Sequence, residues 1–103
     1  AAVHIVPLAR EAKEKAYTEA DALRIRLEGK GIETLFDDRL DASPGVRLAD
    51  ADFIGVPYRV VLSSKTLERK ALEVKDRWTG EILWLSEEEF LKRLKISTPI
   101  LSL

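Results

Sequence analysis

The sequence predicts an α/β fold, a single domain in which a mixed five-stranded sheet is flanked by about three helices. Three observations carry this. Apolar runs and helix-period segments alternate as β-α-β-α up to residue 57. From Tyr58 onward short strand-forming runs follow one another, and two of them flank Trp78-Thr79-Gly80 in the manner of a hairpin. A chain of 103 residues with 46% hydrophobic content is enough for one buried core and too little for two. Strands joined through a helix form right-handed parallel units, so the first half of the sheet is parallel and the second antiparallel.

Each element has a local cause. Val3 to Leu8 is an apolar run broken by Pro7, and the following AREAKEKAYTEADALRIRLEGKG places Ala16, Ala20, Leu23 and Leu27 at helical spacing until Gly29 and Gly31 stop it. IETLFDD is the second strand. Ser43-Pro44-Gly45 supplies an N-cap and a Pro near the first helical position, opening a helix expected to bring Val46, Ala49 and Phe53 to one side. Gly55 suits the residue after that helix, and Pro57 prevents its continuation. YRVVLS reads as the third strand, SKTLERK as a polar turn, and ALEVKDR and EILWL as the hairpin arms. SEEEFLKRL closes the domain, with Ser86 and Glu89 in capping-box spacing. Residues 1–95 form the domain and 96–103 read as a tail.

Composition excludes several classes of function. The 17 Lys plus Arg against 18 Asp plus Glu leave a net charge of −1, so a polyanion must be met by a local patch. With no Cys and one His, His4, disulfides, thiolate chemistry and metal clusters are not expected. No apolar run approaches the roughly 20 residues of a membrane span, and no basic-then-apolar leader opens the chain, which therefore reads as soluble and cytoplasmic, with no membrane partner. The chain also contains no Met and reads as a fragment of a longer protein.

No G-x-S-x-G elbow and no phosphate-binding glycine loop is present. Asp37-Asp38, at the carboxyl end of the second strand, invites a Mg²⁺ site, but the first strand offers no third carboxylate. The competing expectation is that Asp38 pairs with Arg39 or Arg47 and caps the next turn. His4 is expected to be a strand histidine with a hydrogen bond.

Charge is polarised along the chain. Residues 33–52 hold two cations against six carboxylates, and residues 59–77 hold six cations against three. In ALEVKDR the alternation sets Leu72, Val74 and Asp76 on one face and Glu73, Lys75 and Arg77 on the other. One acceptor beside two cations suits guanine, whose N7 and O6 accept while its N1 and N2 protons are donated. Trp78 and Tyr58 are candidates for base stacking, against the alternatives of a solvated charged face and aromatics used in the core or as a lid.

The ordered series DDR, SPGVR, ADADFIGVPYRVV and LEVKDRWTGE resembles the C-terminal anticodon-binding domain of the class II aminoacyl-tRNA synthetases for Gly, His, Pro and Thr, with the prolyl branch the best match. The resemblance runs from about Val3 to Leu94 and implies the same mixed sheet. It further implies docking of a tRNA anticodon stem-loop, that of tRNA(Pro) for the prolyl branch, so that a separate catalytic domain aminoacylates the correct tRNA. Proline anticodons carry guanine at their second and third positions, which gives Glu73, Lys75 and Arg77 an object. Position in the family pattern places further tRNA-binding residues at Asp38, Arg39, Arg47, Lys65 and Thr66. The resemblance implies no catalysis and no cofactor in this chain, with ATP and Mg²⁺ expected only in a parent ligase, itself expected to be a homodimer. An interaction or dimerisation module of the same fold that does not read tRNA is the alternative.

Overall fold

The computed structural model describes residues 1–97. Strands β1 (Val3–Pro7), β2 (Thr34–Phe36), β3 (Tyr58–Leu62), β4 (Leu72–Asp76) and β5 (Ile82–Leu85) form one sheet in the order β2-β1-β3-β4-β5. β1 runs parallel to β2 and β3, while β4 is antiparallel to both β3 and β5. The parallel first half and antiparallel second half are those the sequence predicts.

The helices are α1 (Lys15–Gly29), α2 (Pro44–Ile54), α3 (Ser64–Arg69) and α4 (Glu87–Ser97). α1 buries Ala16, Ala20, Leu23 and Leu27, the four residues its spacing picks out. It begins later than the sequence pattern allows, because the Glu14 carboxylate accepts from the backbone N–H groups of Arg10 and Glu11 and holds residues 10–14 in a turn. α3 corrects the expected polar turn, so four helices are described where about three are predicted. Its cause is local: the Ser63 hydroxyl accepts from Thr66 N–H while the Thr66 hydroxyl accepts from Ser63 N–H, a reciprocal cap on a helix of six residues. The predicted tail is helical through Ser97, and residues 98–103 lie outside the described residues.

The main core lies on one face of the sheet. Val3, Ile5, Tyr58, Val60, Leu62 and Val74 pack there against Leu23 and Leu27 of α1 and Phe90 and Leu94 of α4. Tyr58 meets Phe90 edge-on at 5.7 Å, which removes it from the candidates for base stacking. The opposite face carries a smaller cluster of Val6, Val61 and Ala51, with Leu8 and Leu48 packed against it, under α2.

α2 is rotated away from the expected side. Val46 is half-exposed and Phe53 is 90% exposed, while Arg47 and Ala51 face inward. The apolar patch below α2 is small, and the buried carboxylate of Asp37 beside it requires a cation, which Arg47 supplies. The ends of α2 follow the sequence: the Ser43 side chain caps Val46 N–H, and Gly55 closes the helix at φ 75°.

Gly55 has a second role. A Cβ there would lie 2.8 Å from Nη2 of Arg77, whose guanidinium rests against the helix end while its backbone N–H donates to Pro57 O. Gly55→Ala is therefore expected to lower stability by about 1–2 kcal/mol, the usual cost of a Cβ in the left-handed region. Gly45→Ala, inside α2 with open space around it, is expected to be neutral or stabilising by up to about 1 kcal/mol. Urea midpoints of the two variants check this, and matching midpoints would remove the role given to Gly55.

Candidate nucleic-acid interface

α2 lies over the β1–β3 part of its face and leaves the same face of β4 and β5 uncovered. Alternation brings Glu73 and Lys75 of β4 to this open surface, opposite Trp84 and Ile82 of β5. From α3, Lys65 and Arg69 reach over the Trp84 ring, at 5.7 and 4.3 Å from its centroid.

Glu73 and Lys75 belong to a four-residue charge cluster. Arg59, beside Lys75 in register on β3, sets Nη1 3.4 Å from Asp52 and Nη2 3.7 Å from Glu73. Lys75 Nζ lies 3.1 Å from the same Asp52 oxygen. Arg59 is largely buried, and its Nε has no hydrogen-bond partner. Two cations and two carboxylates thus face one open surface, and the contacts of Arg59 are longer than a well-made charged hydrogen bond. Such a guanidinium is positioned to accept a better partner, and the set presents both donors and acceptors to a guanine edge.

Asp52 and Arg59 are the members that sequence reasoning missed. Asp52 reads as part of a solvated helix face, but it bridges α2 to the sheet, and Asp50 likewise pairs with Arg39 at 2.9 Å. The available signal was Arg59 itself, a lone charge in the apolar run YRVVL.

The remaining predicted residues divide. Lys65 is exposed beside Trp84, and Arg77 is exposed just past the end of β4. Thr66 is 2% exposed and spends its hydroxyl on the α3 cap, so it has no surface for RNA. Arg47, at 1% exposure, is also withdrawn: Nη2 donates to Asp37 O at 2.8 Å, and Nε lies 3.4 Å from the Asp37 carboxylate. Asp38 does not make the expected pairing. Asp37 takes it, accepting from Arg39 Nε and Nη2 at 3.0 and 2.9 Å and from the Arg39 backbone N–H. Asp38 is exposed, and it lies with Arg39 at the β2 edge, with two strands, β1 and β3, between it and β4.

The Mg²⁺ reading has little left to stand on, because Asp37 already faces two guanidinium groups. Among the described residues no three His, Cys, Asp or Glu side chains gather as a metal site, and no helix is long and apolar enough to cross a membrane. His4 is buried and its Nδ1 lacks the expected hydrogen bond. Burial lowers its pKa, Asp37 opposes the shift, and Arg39 and Arg59 add to it.

At the hairpin tip, Asp76 Oδ1 accepts from the backbone N–H groups of Trp78 and Thr79, while Oδ2 accepts from Arg93. The Arg93 bond holds the Asp76 pKa below its usual range, burial opposes it, and the two backbone bonds reinforce it. Trp78 is 91% exposed on this fixed turn, next to Arg77.

The profile of the anticodon binding domain family matches residues 2–96. A proline–tRNA ligase of Pelobacter propionicus is 44% identical over 92 residues, covering 88% of this chain and 16% of that protein. A proline–tRNA ligase of Treponema pallidum (strain Nichols) is 43% identical over 88 residues, covering 85% of this chain and 14% of its own. One from Rhizorhabdus wittichii is 44% identical over 75 residues, covering 73% of this chain and 17% of its own. The chain thus spans about a sixth of the length of the curated relatives it matches.

Asp37 gives the site a pH signature. Burial raises its pKa, but the hydrogen bonds from Arg39 and the nearby charges of Arg47 and Arg39 outweigh this and hold it at about 2 against an ordinary 3.8. A lowered carboxylate stabilises the fold fully above its unfolded pKa, and the contribution fades as pH falls toward 2. Asp37→Asn is expected to lose about 2 kcal/mol at pH 7 and to show a shallower decline in stability between about pH 4 and 2. Urea unfolding across that range measures both, and an acid limb identical to wild type would refute the assignment.

Proposed function

Because the chain belongs to the anticodon binding domain family, whose work is recognition of tRNA anticodons, we propose that it reads the anticodon loop of a proline tRNA for a proline–tRNA ligase. The observation that carries this is the Asp52–Arg59–Glu73–Lys75 cluster on the uncovered half of the sheet. Guanine is the base whose edges match it: Arg59 and Lys75 donate to O6 and N7, and Asp52 or Glu73 accepts from N1 and N2. Lys65, Arg69 and Arg77 border this face and supply phosphate contacts. The aminoacylation chemistry, with its ATP, Mg²⁺ and proline, belongs to the rest of the ligase, and this domain contributes position.

Entry of a base exchanges internal ion pairs for pairs with RNA, so the net gain per contact is modest and discrimination between bases is the main product. Lys75→Ala is expected to weaken binding of a proline anticodon stem-loop by about 1–3 kcal/mol and to reduce the penalty for replacing an anticodon guanine by adenine. Calorimetric titration at fixed salt tests this, and wild-type affinity with wild-type discrimination in the variant would count against the cluster. Lys65→Ala is expected to weaken all loops about equally and to flatten the dependence of affinity on salt by roughly one phosphate contact. A base-dependent loss would instead place Lys65 among the base readers.

A further inference from the structure

α2 separates two unlike flanks. Toward the β2 edge lies a cleft of about 310 Å³ whose charged members are Asp37, Asp38 and Asp50 against Arg39. Toward β5 the balance is reversed. Lys65 and Arg69 stand one turn apart on α3, and both are exposed. Neither makes an ion pair among the described residues, whereas Arg24, Arg26, Arg39, Arg47, Arg59 and Arg93 each meet a carboxylate. Glu73, the acid directly across from Trp84 in register, is turned to Arg59 at 3.7 Å.

Two like charges one turn apart repel each other, and a helix of six residues has little stability of its own to absorb that cost. What gathers them is the indole of Trp84 on β5. Lys65 Nζ lies 5.7 Å from the ring centroid and Arg69 Cζ 4.3 Å from it. Long basic side chains are among the most expensive to immobilise, and the ring does this before any ligand arrives. A ring face attracts a cation through its quadrupole and leaves the N–H donors to other partners. Two ordered cations without a counter-ion therefore await an anion. Glu73 belongs to the charge cluster, so an RNA strand whose base meets that cluster carries its phosphodiesters past α3.

We propose that Trp84 is a positioning residue for the RNA backbone, which holds Lys65 and Arg69 together as one preset clamp for the phosphodiesters beside the base at the charge cluster. The assignment rests on the tRNA reading above and deepens it. Trp84 itself makes no RNA contact, and its share of the affinity comes from ordering the two cations in advance.

The test titrates a fluorescently labelled proline anticodon stem-loop by anisotropy over a range of salt concentrations, with urea midpoints to show that each variant is folded. Leucine at position 84 keeps an apolar side chain over the sheet and removes the π face, whereas phenylalanine keeps both. Trp84→Leu should weaken binding about tenfold, because two long side chains are then ordered only on binding. It should leave the slope of log affinity against log salt unchanged, since both cations still reach phosphate in the complex. Arg69→Ala, by contrast, should lower that slope by about one phosphate contact. Trp84→Phe should stay within about threefold of wild type, a phenyl face being a weaker but sufficient platform. In a Lys65→Ala, Arg69→Ala background, Trp84→Leu should make no further difference. Trp78→Phe leaves Trp84 as the single tryptophan, and RNA should alter its emission only when the two cations are present.

If Trp84→Phe loses as much as Trp84→Leu, or if Trp84→Leu is equally harmful without the two cations, the ring acts as support or direct contact and the clamp is refuted. Emission altered equally without the cations refutes it as well, and does so even where Trp84→Leu fails to fold. If Trp84→Leu matches wild type while Lys75→Ala weakens binding, the clamp falls and the tRNA reading stands. If wild type binds no loop at low salt, both fall.

Discussion

The buried ion pair between Asp37 and Arg47 is the constraint on which the functional surfaces depend. Asp37 stands at the end of β2, and its backbone N–H donates to Ile5 O on β1. Its carboxylate, removed from water, has to be met by cations. Arg47 meets it from inside α2 and Arg39 from the following loop, so strand, loop and helix share one electrostatic centre. Once Arg47 points inward, the rotation of α2 is set. At about 100° per residue, Leu48 and Asp52 turn to one flank, and Val46, Asp50 and Phe53 turn to the other. Asp52 thereby meets Arg59 and Lys75, and Asp50 meets Arg39. One pair thus arranges both the charge cluster and the cleft.

That arrangement explains how a domain with net charge −1 can serve a polyanion. Long-range attraction is weak here, so affinity has to come from matched short-range contacts. The cluster is balanced in charge, and its members partly satisfy one another. This keeps Arg59 from the full penalty of a buried unpaired cation, although its buried Nε has no hydrogen-bond partner. A cluster of cations alone would bind phosphate from any RNA, whereas interleaved carboxylates reject bases that lack donors at the right edge. In the function proposed above, selectivity comes from the same acids that lower nonspecific affinity.

Features set by neighbours in sequence were legible from the sequence. The α1 core positions, the Ser43 cap, the Gly55 stop and the alternation of β4 each follow from residues within one or two turns. What was not legible depended on partners brought together by the fold. The inward turn of Arg47 needs Asp37, ten residues away and on another element, and without it the apolar positions of α2 point the wrong way. Asp52 reads as solvated until the sheet delivers Lys75, 23 residues on. Family position puts Thr66 among the tRNA-binding residues, but its hydroxyl is consumed by the reciprocal Ser63–Thr66 cap, whose spacing is visible in the sequence. Alternation alone brings Glu73 and Lys75 to the open strand face, whereas the burial of Arg47 and Thr66 follows from partners that spend their charge or hydroxyl inside the protein.

The contact of Arg77 with Gly55 ties these surfaces together. The left-handed turn at Gly55 ends α2 without a side chain, so the first residue beyond β4 can lie against the helix terminus, where cations are favoured by the unpaired carbonyls. The hairpin is held from the other side by Asp76 and Arg93, which link its turn to α4. α2 is therefore anchored at its start by Arg47 on Asp37, and its end turns at Gly55 beside the exposed Arg77 guanidinium. This helix keeps the charge cluster on one flank and the cleft on the other, separated by about the width of the helix itself.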